Sequence, residues 1–206
     1  MKVKVCGITN LEDAKLCSRL GADALGFIFY EKSQRNICYS KTKEIIRQLP
    51  SFIVKVGVFV DQGVAEINTI AQKIGLNAVQ LYGNVTQSVI NEINLPVIKC
   101  FRIKNDYDFL LLNNYTNCSF MLDTYSDKAL GGTGELFDWK IIPMELRDKI
   151  ILAGGISNNN IEYLFNNINP AAVDLSSSLE SSPGKKDTIK LKEFFYKINK
   201  LRYTTC

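Results

Sequence analysis

The chain has no histidine, so any acid–base chemistry falls to Asp, Glu, Cys, Lys or Tyr. Two such residues stand where a reacting group could use them. Cys6 closes the first apolar run and is followed by Gly7, which lets the backbone turn sharply. A cysteine there also reads as an ordinary small buried hydrophobe; a nearby cation would favour its thiolate, and Arg35 is the candidate. Asp123 directly follows Phe120-Met121-Leu122. Partial desolvation at the end of an apolar strand raises a carboxyl pKa and suits a general acid, whereas the alternative is a carboxylate capping the next turn. Arg35 reads either as a solvated surface charge or as a clamp for a carboxylate or phosphate.

Two later segments could cradle a phosphate. One is Ala153-Gly154-Gly155-Ile156; the other is Asp174-Leu175-Ser176-Ser177-Ser178, running on to Pro183-Gly184-Lys185-Lys186-Asp187. Glycines let the backbone approach an anion closely, and clustered N–H groups bind it. Either segment alone reads equally well as a turn. Gly131-Gly132-Thr133-Gly134 is a glycine loop, either a mobile lid or plain surface.

These residues need a scaffold that gathers them. Apolar, β-branched runs occupy residues 3–8, 24–30, 52–60, 78–82, 97–103, 119–123, 149–156 and 171–175. Most are continuously apolar, as strands buried on both faces are. Helical-period segments separate them, at 11–20, 41–49, 64–74, 86–93, 106–113, 139–146, 159–167 and 188–201. Asn10 is a good N-cap for the first, and Gly21 is placed to end it. Eight strands, each followed by a helix, predict an α/β fold, a (β/α)8 TIM barrel, with residues 1–206 as one domain. An open doubly wound sheet is the alternative; the count of eight and the closing helix favour the barrel. In a barrel the chemistry sits at the carboxyl ends of the strands, where Cys6, Arg35, Asp123, Gly154, Gly155 and Asp174 all fall.

Composition narrows the remaining choices. The 46% hydrophobic and 22% charged fractions are those of an ordinary globular protein. The start, MKVKVCGITN, has no extended apolar region, which points to the cytoplasm. No apolar stretch is long enough to span a bilayer, so no membrane partner is expected. The six cysteines then read as free thiols; without C-x-x-C spacing or histidine, no metal site is expected. The net charge of +4 is spread over scattered lysines, which suits an anionic small substrate or a solvated surface better than nucleic acid. A monomer is expected.

Lys4-Val5-Cys6-Gly7-Ile8-Thr9 resembles the K-[IV]-C-G-[IL]-[TK] opening of phosphoribosylanthranilate isomerases. Further matches follow in order through Gly26-Phe27, Ser33-Gln34-Arg35, Val79-Gln80-Leu81, Leu122-Asp123, the glycine loop, Ala153-Gly154-Gly155, Val173-Asp174 and Pro183-Gly184-Lys185-Lys186-Asp187, over essentially the whole chain. The resemblance implies an Amadori rearrangement of N-(5'-phosphoribosyl)anthranilate without cofactor or metal. It implies Asp123 as general acid, Cys6 as general base and Arg35 as partner of the anthranilate carboxylate. Asp174 would orient the sugar, and the backbone at Gly154, Gly155, Ser176, Ser177 and Ser178 would hold the phosphate. Three positions depart from the family pattern. Tyr82 replaces a usual histidine, and Glu135 follows the glycine loop where a basic residue is common. Ser178 replaces the glycine of D-[VL]-[NS]-S-G-[VIL]-E, which would strain a positive φ. A different phosphosugar barrel, or a noncatalytic phosphosugar-binding descendant, is the rival reading.

Overall fold

The structure is a computed structural model that describes residues 1–125 and 137–203. The predicted runs form strands β1 (Lys2–Cys6), β2 (Ala24–Ile28), β3 (Val54–Val60), β4 (Ala78–Tyr82), β5 (Val97–Ile103), β6 (Cys118–Thr124), β7 (Ile150–Leu152) and β8 (Ala172–Leu175). All pair in parallel with their sequence neighbours, and β1 pairs with β8 to close the barrel.

Strand alternation divides the apolar residues into two cores. Side chains pointing outward, such as Val3, Val5, Leu25, Phe27, Val79 and Leu81, pack under the helices in one large cluster. A smaller set, including Val56, Ala78, Ile98, Cys100 and Met121, fills the barrel interior. Towards the carboxyl ends that interior turns polar, with Lys4, Gln80, Asp123 and Asp174 all buried.

The helices are α1 (Leu11–Leu20), α2 (Tyr39–Ile46), α3 (Val64–Ile74), α4 (Gln87–Glu92), α5 (Met144–Arg147), α6 (Ile161–Asn167) and α7 (Thr188–Tyr203). Asn10 caps α1 as expected, its Oδ1 accepting from the Asp13 N–H at 2.8 Å. The helix expected at 106–113 is instead a 3-10 segment, Phe109–Asn114, started by Asp108 accepting from the Leu110 N–H at 2.9 Å. It is the regular part of the 104–117 connection between β5 and β6, and at six residues it is longer than most 3-10 runs. The helix expected at 139–146 splits into a 3-10 turn, Trp139–Ile141, and α5, because Pro143 between them lacks an N–H and cannot continue a helix. Strand β7 is shorter than the predicted 149–156, since the chain turns out of the sheet at Gly154. After β8 come a 3-10 turn, Ser177–Leu179, and a hairpin of β9 (Glu180–Ser182) and β10 (Lys185–Lys186), where only loop was expected.

Helix α7 seals the barrel with the stripe Leu191, Phe194, Phe195 and Ile198, all buried. Phe194→Ala should therefore lower stability by about 3–5 kcal/mol, read as a smaller urea midpoint with little change in slope. A loss below about 1 kcal/mol would show that this stripe is not core packing.

Candidate active site

Register brings the reacting groups together. Across the β1–β8 seam Lys4 lies opposite Asp174, and across β1–β2 Cys6 lies opposite Gly26. Lys4 and Cys6 alternate onto the same inward face. Lys4 Nζ donates to both carboxylate oxygens of Asp174, each at 3.0 Å. A Cβ at residue 26 would lie 2.7 Å from Cys6 Sγ and 2.9 Å from Lys4 Nζ, so glycine here leaves the space in which both end groups meet.

Cys6 is 6% exposed, and burial pushes its thiol pKa up; Lys4 opposes this and Asp174 adds to it. The expectation that Arg35 would favour the thiolate is corrected on both counts. The cation beside the sulfur is Lys4, and burial outweighs it, so the thiol is protonated near neutrality. Burial alone would lower the pKa of Lys4, but Asp174 and Cys6 beside it hold its ammonium well above the ordinary lysine range.

Arg35 is turned to another task. Its Nε donates to both oxygens of Glu180 at 3.0 Å, and its Nη2 to Oε2 at 2.7 Å. Its stem packs over Gly7, where an added Cβ would lie 2.7 Å from Arg35 Cδ and 3.0 Å from Ser176 Oγ. Glu180 also takes a hydrogen bond from Lys186 Nζ at 2.9 Å, and Lys186 further donates to the carbonyls of Cys6 at 2.6 Å and Ser176 at 3.3 Å. Burial would raise the Glu180 pKa, yet Arg35 and Lys186 together hold it below the usual carboxylate range. The Pro183–Asp187 stretch read as phosphate-binding thus sends Lys186 inward as a tie between strand ends.

Asp123, at the end of β6, is 4% exposed. Tyr82, at the end of β4, donates its hydroxyl to Asp123 Oδ2 at 2.8 Å. Burial, with Asp174 adding, pushes the Asp123 carboxyl up to about 6, although Tyr82 and the Thr124 N–H favour its ionised form. Burial and the Asp123 carboxylate push the Tyr82 phenol well above its ordinary range, so it stays a donor.

The remaining residues line the rim beyond β7 and β8. Gly154 and Gly155 have φ of +83° and +63°. Gly154 lies against Thr124, whose Cβ and backbone nitrogen would be 2.8 Å from any added Cβ. The Gly155 carbonyl accepts from Asn160 Nδ2 at 2.9 Å. Ser176 Oγ donates to the Cys6 carbonyl at 3.2 Å, which keeps that side chain busy with the scaffold. Ser177 and Ser178 begin the 3-10 turn, whose first N–H groups have no partner within the turn. Ser178 is not at positive φ, so the strain expected from replacing glycine is absent. The glycine loop 131–134 and Glu135 lie outside the described residues. Among the described residues no group of three His, Cys, Asp or Glu side chains could hold a metal ion.

Sequence reasoning missed four participants: Lys4, Tyr82 as partner of Asp123, Glu180 and Lys186. Lys4 carried a usable signal, a lysine in phase with Cys6 inside an apolar strand. Glu180 fills the final position of the D-[VL]-[NS]-S-G-[VIL]-E pattern. No local feature distinguishes Lys186 from its exposed neighbour Lys185.

Known proteins share this sequence and fold. A family model described as N-(5'-phosphoribosyl)anthranilate isomerase matches residues 3–197. The N-(5'-phosphoribosyl)anthranilate isomerase of Pelobacter propionicus is 43% identical over 195 residues, covering 94% of this chain and 93% of the relative. The solved phosphoribosyl anthranilate isomerase from Thermotoga maritima has a TM-score of 0.89 at 38% identity, covering 97% of this chain and 98% of its own. A further solved structure, of the isomerase in complex with reduced 1-(o-carboxyphenylamino)-1-deoxyribulose 5-phosphate, has a TM-score of 0.84 at 38% identity, covering 95% and 96%.

The contact between Tyr82 and Asp123 sets a measurable property. Carboxyl-carbon NMR should show Asp123 titrating near 6. In Tyr82→Phe, loss of a donor to the carboxylate should raise that value by about one unit. A fall, or no change, would mean that the phenol does not hold the charged form.

Proposed function

The chain belongs to the N-(5'-phosphoribosyl)anthranilate isomerase family and carries out the Amadori rearrangement of that substrate in tryptophan biosynthesis; within it we propose that Cys6 is the general base and Asp123 the general acid. The observation that carries this assignment is their placement. Each lies at the carboxyl end of a strand, β1 and β6, each is buried in one polar mouth, and each has another titratable group bonded to it or lying beside it.

The acid acts first. Protonated Asp123 gives its proton to the furanose ring oxygen; the C1–O bond breaks, and the anthranilate nitrogen lone pair forms the C1=N bond of a Schiff base. The Cys6 thiolate then takes the proton from C2, and the released electron pair makes the enolamine. Loss of the C2 hydroxyl proton with protonation of C1 gives the ketose. Arg35, its plane fixed by Glu180, would take the anthranilate carboxylate through Nη1, which carries none of its bonds to Glu180. Asp174 would accept from sugar hydroxyls. The backbone at Gly154, Gly155, Ser176, Ser177 and Ser178 would hold the phosphate, an anchor remote from the reacting carbon.

These pKa values imply reversed protonation. The working form needs Asp123 protonated with a pKa near 6 and Cys6 ionised with a pKa above its ordinary 9.0. Between those values the two fractions change oppositely with pH and their product stays constant and small. A monomer is the proposed working unit. A reducing cytoplasm would keep the five described free cysteines as thiols.

With substrate generated in place and its fluorescence followed, Cys6→Ala and Asp123→Asn should each lower kcat by at least about a hundredfold, with circular dichroism unchanged. The profile of kcat/KM should rise to a limb near pH 6, stay flat and then fall. The lower limb belongs to the acid, so Tyr82→Phe should move it upward. Full activity in either first variant removes that residue's role. Sedimentation at assay concentration should give the mass of one chain; a dimer mass with activity lost on dissociation overturns the monomer.

A further inference from the structure

The scheme leaves Lys4 without a task, yet its position is costly. Taking an ammonium out of water into a protein interior is unfavourable, and a matched ion pair is often no more stabilising than well-packed apolar side chains. Asp174 alone would balance the charge of a purely structural lysine. Lys4 instead has a second neighbour: its Nζ and the Cys6 sulfur converge on the space left by Gly26. The groups around the thiol are Lys4 from β1, Asp174 from β8, Lys186 from β10 and Tyr82 from β4. Lys186 is pinned to the Cys6 carbonyl, the Ser176 carbonyl and Glu180, and Tyr82 is bonded to Asp123. Lys4 is therefore the cation placed to answer a change in charge at the sulfur.

We propose that Lys4 is a positioning residue whose ammonium lets Cys6 ionise, and that Asp174 and the Cys6 thiolate compete for it. The proposal rests on the assignment of Cys6 as base. In the empty site Asp174 holds the ammonium with both oxygens. A sugar hydroxyl donating to Asp174 occupies part of that carboxylate, and the ammonium turns towards sulfur. The thiol proton leaves to solvent, Lys4 stays protonated throughout, and the thiolate–ammonium pair replaces part of the carboxylate–ammonium pair. Substrate binding thereby raises the small thiolate fraction at the moment it is needed.

The test is the ionisation of Cys6 itself, read as thiolate ultraviolet absorbance against pH with the Cys6→Ala protein subtracted. Asp174→Asn should lower the Cys6 midpoint, and Lys4→Met should raise it, so that thiolate at a fixed alkaline pH falls at least about tenfold. Lys4→Met leaves Asp174 buried without its partner. The double variant Lys4→Met/Asp174→Asn, which contains no unpaired buried charge at this place, therefore gives the decisive comparison. Its Cys6 should ionise at a higher pH than in Asp174→Asn alone. Equal midpoints in those two proteins, or a lower one in the double variant, overturn the proposal. If Cys6→Ala is inactive while the Lys4 variants leave the midpoint unmoved, the base assignment stands and this proposal falls. An active Cys6→Ala protein removes the base assignment instead.

Discussion

Closing β1 against β8 sets an ammonium and a carboxylate side by side in a place that solvent barely reaches, and the site is arranged around that pair. Neither Lys4 nor Asp174 would be tolerable there alone, since breaking a buried pair strands a charge in low dielectric. Their shared hydrogen bonds favour the register of the seam. With the seam fixed, the Cys6 carbonyl lies within reach of both Ser176 and Lys186. One closure thus aligns the thiol, the Asp174 carboxylate and the rim beyond β8.

The same dryness drives the chemistry in two directions. It favours the neutral form of every acid in the mouth. For Asp123 that helps, since a carboxyl near 6 can hold its proton and still release it. For Cys6, as the proposed base, it hinders, since a base must be ionised. The fold gives each a partner that favours its charged form: Tyr82 tempers the rise at Asp123, and Lys4 tempers the rise at Cys6. Beyond them, Arg35 and Lys186 share the single carboxylate of Glu180, leaving a net positive group beside the first strand. A substrate carrying a phosphate and a carboxylate suits such a field.

Much of this was legible in the order of residues. The continuous apolar runs marked eight strands because strands buried on both faces need no polar alternation. Strand ends placed Cys6, Asp123 and Asp174 at one mouth once a barrel was inferred. Errors arose where local pattern met a tertiary or backbone constraint. Pro143 divided an apparently periodic helix, and the segment after β5, started by Asp108, wound as a 3-10 turn. Ser178 looked strained only under the assumption of a positive φ, which its turn does not require.

By itself the sequence determined the barrel, its strand order and the residue types available for proton transfer, because these depend on hydrophobic period and composition. Only the tertiary structure decided which charges meet. Arg35 is far in sequence from Glu180, Lys4 from Asp174 and Tyr82 from Asp123, so no local spacing encodes their pairing. Their contacts follow from register around a closed sheet, and their pKa values follow from the burial that closure imposes. The cation that serves the thiol was therefore invisible until the first and last strands were brought together.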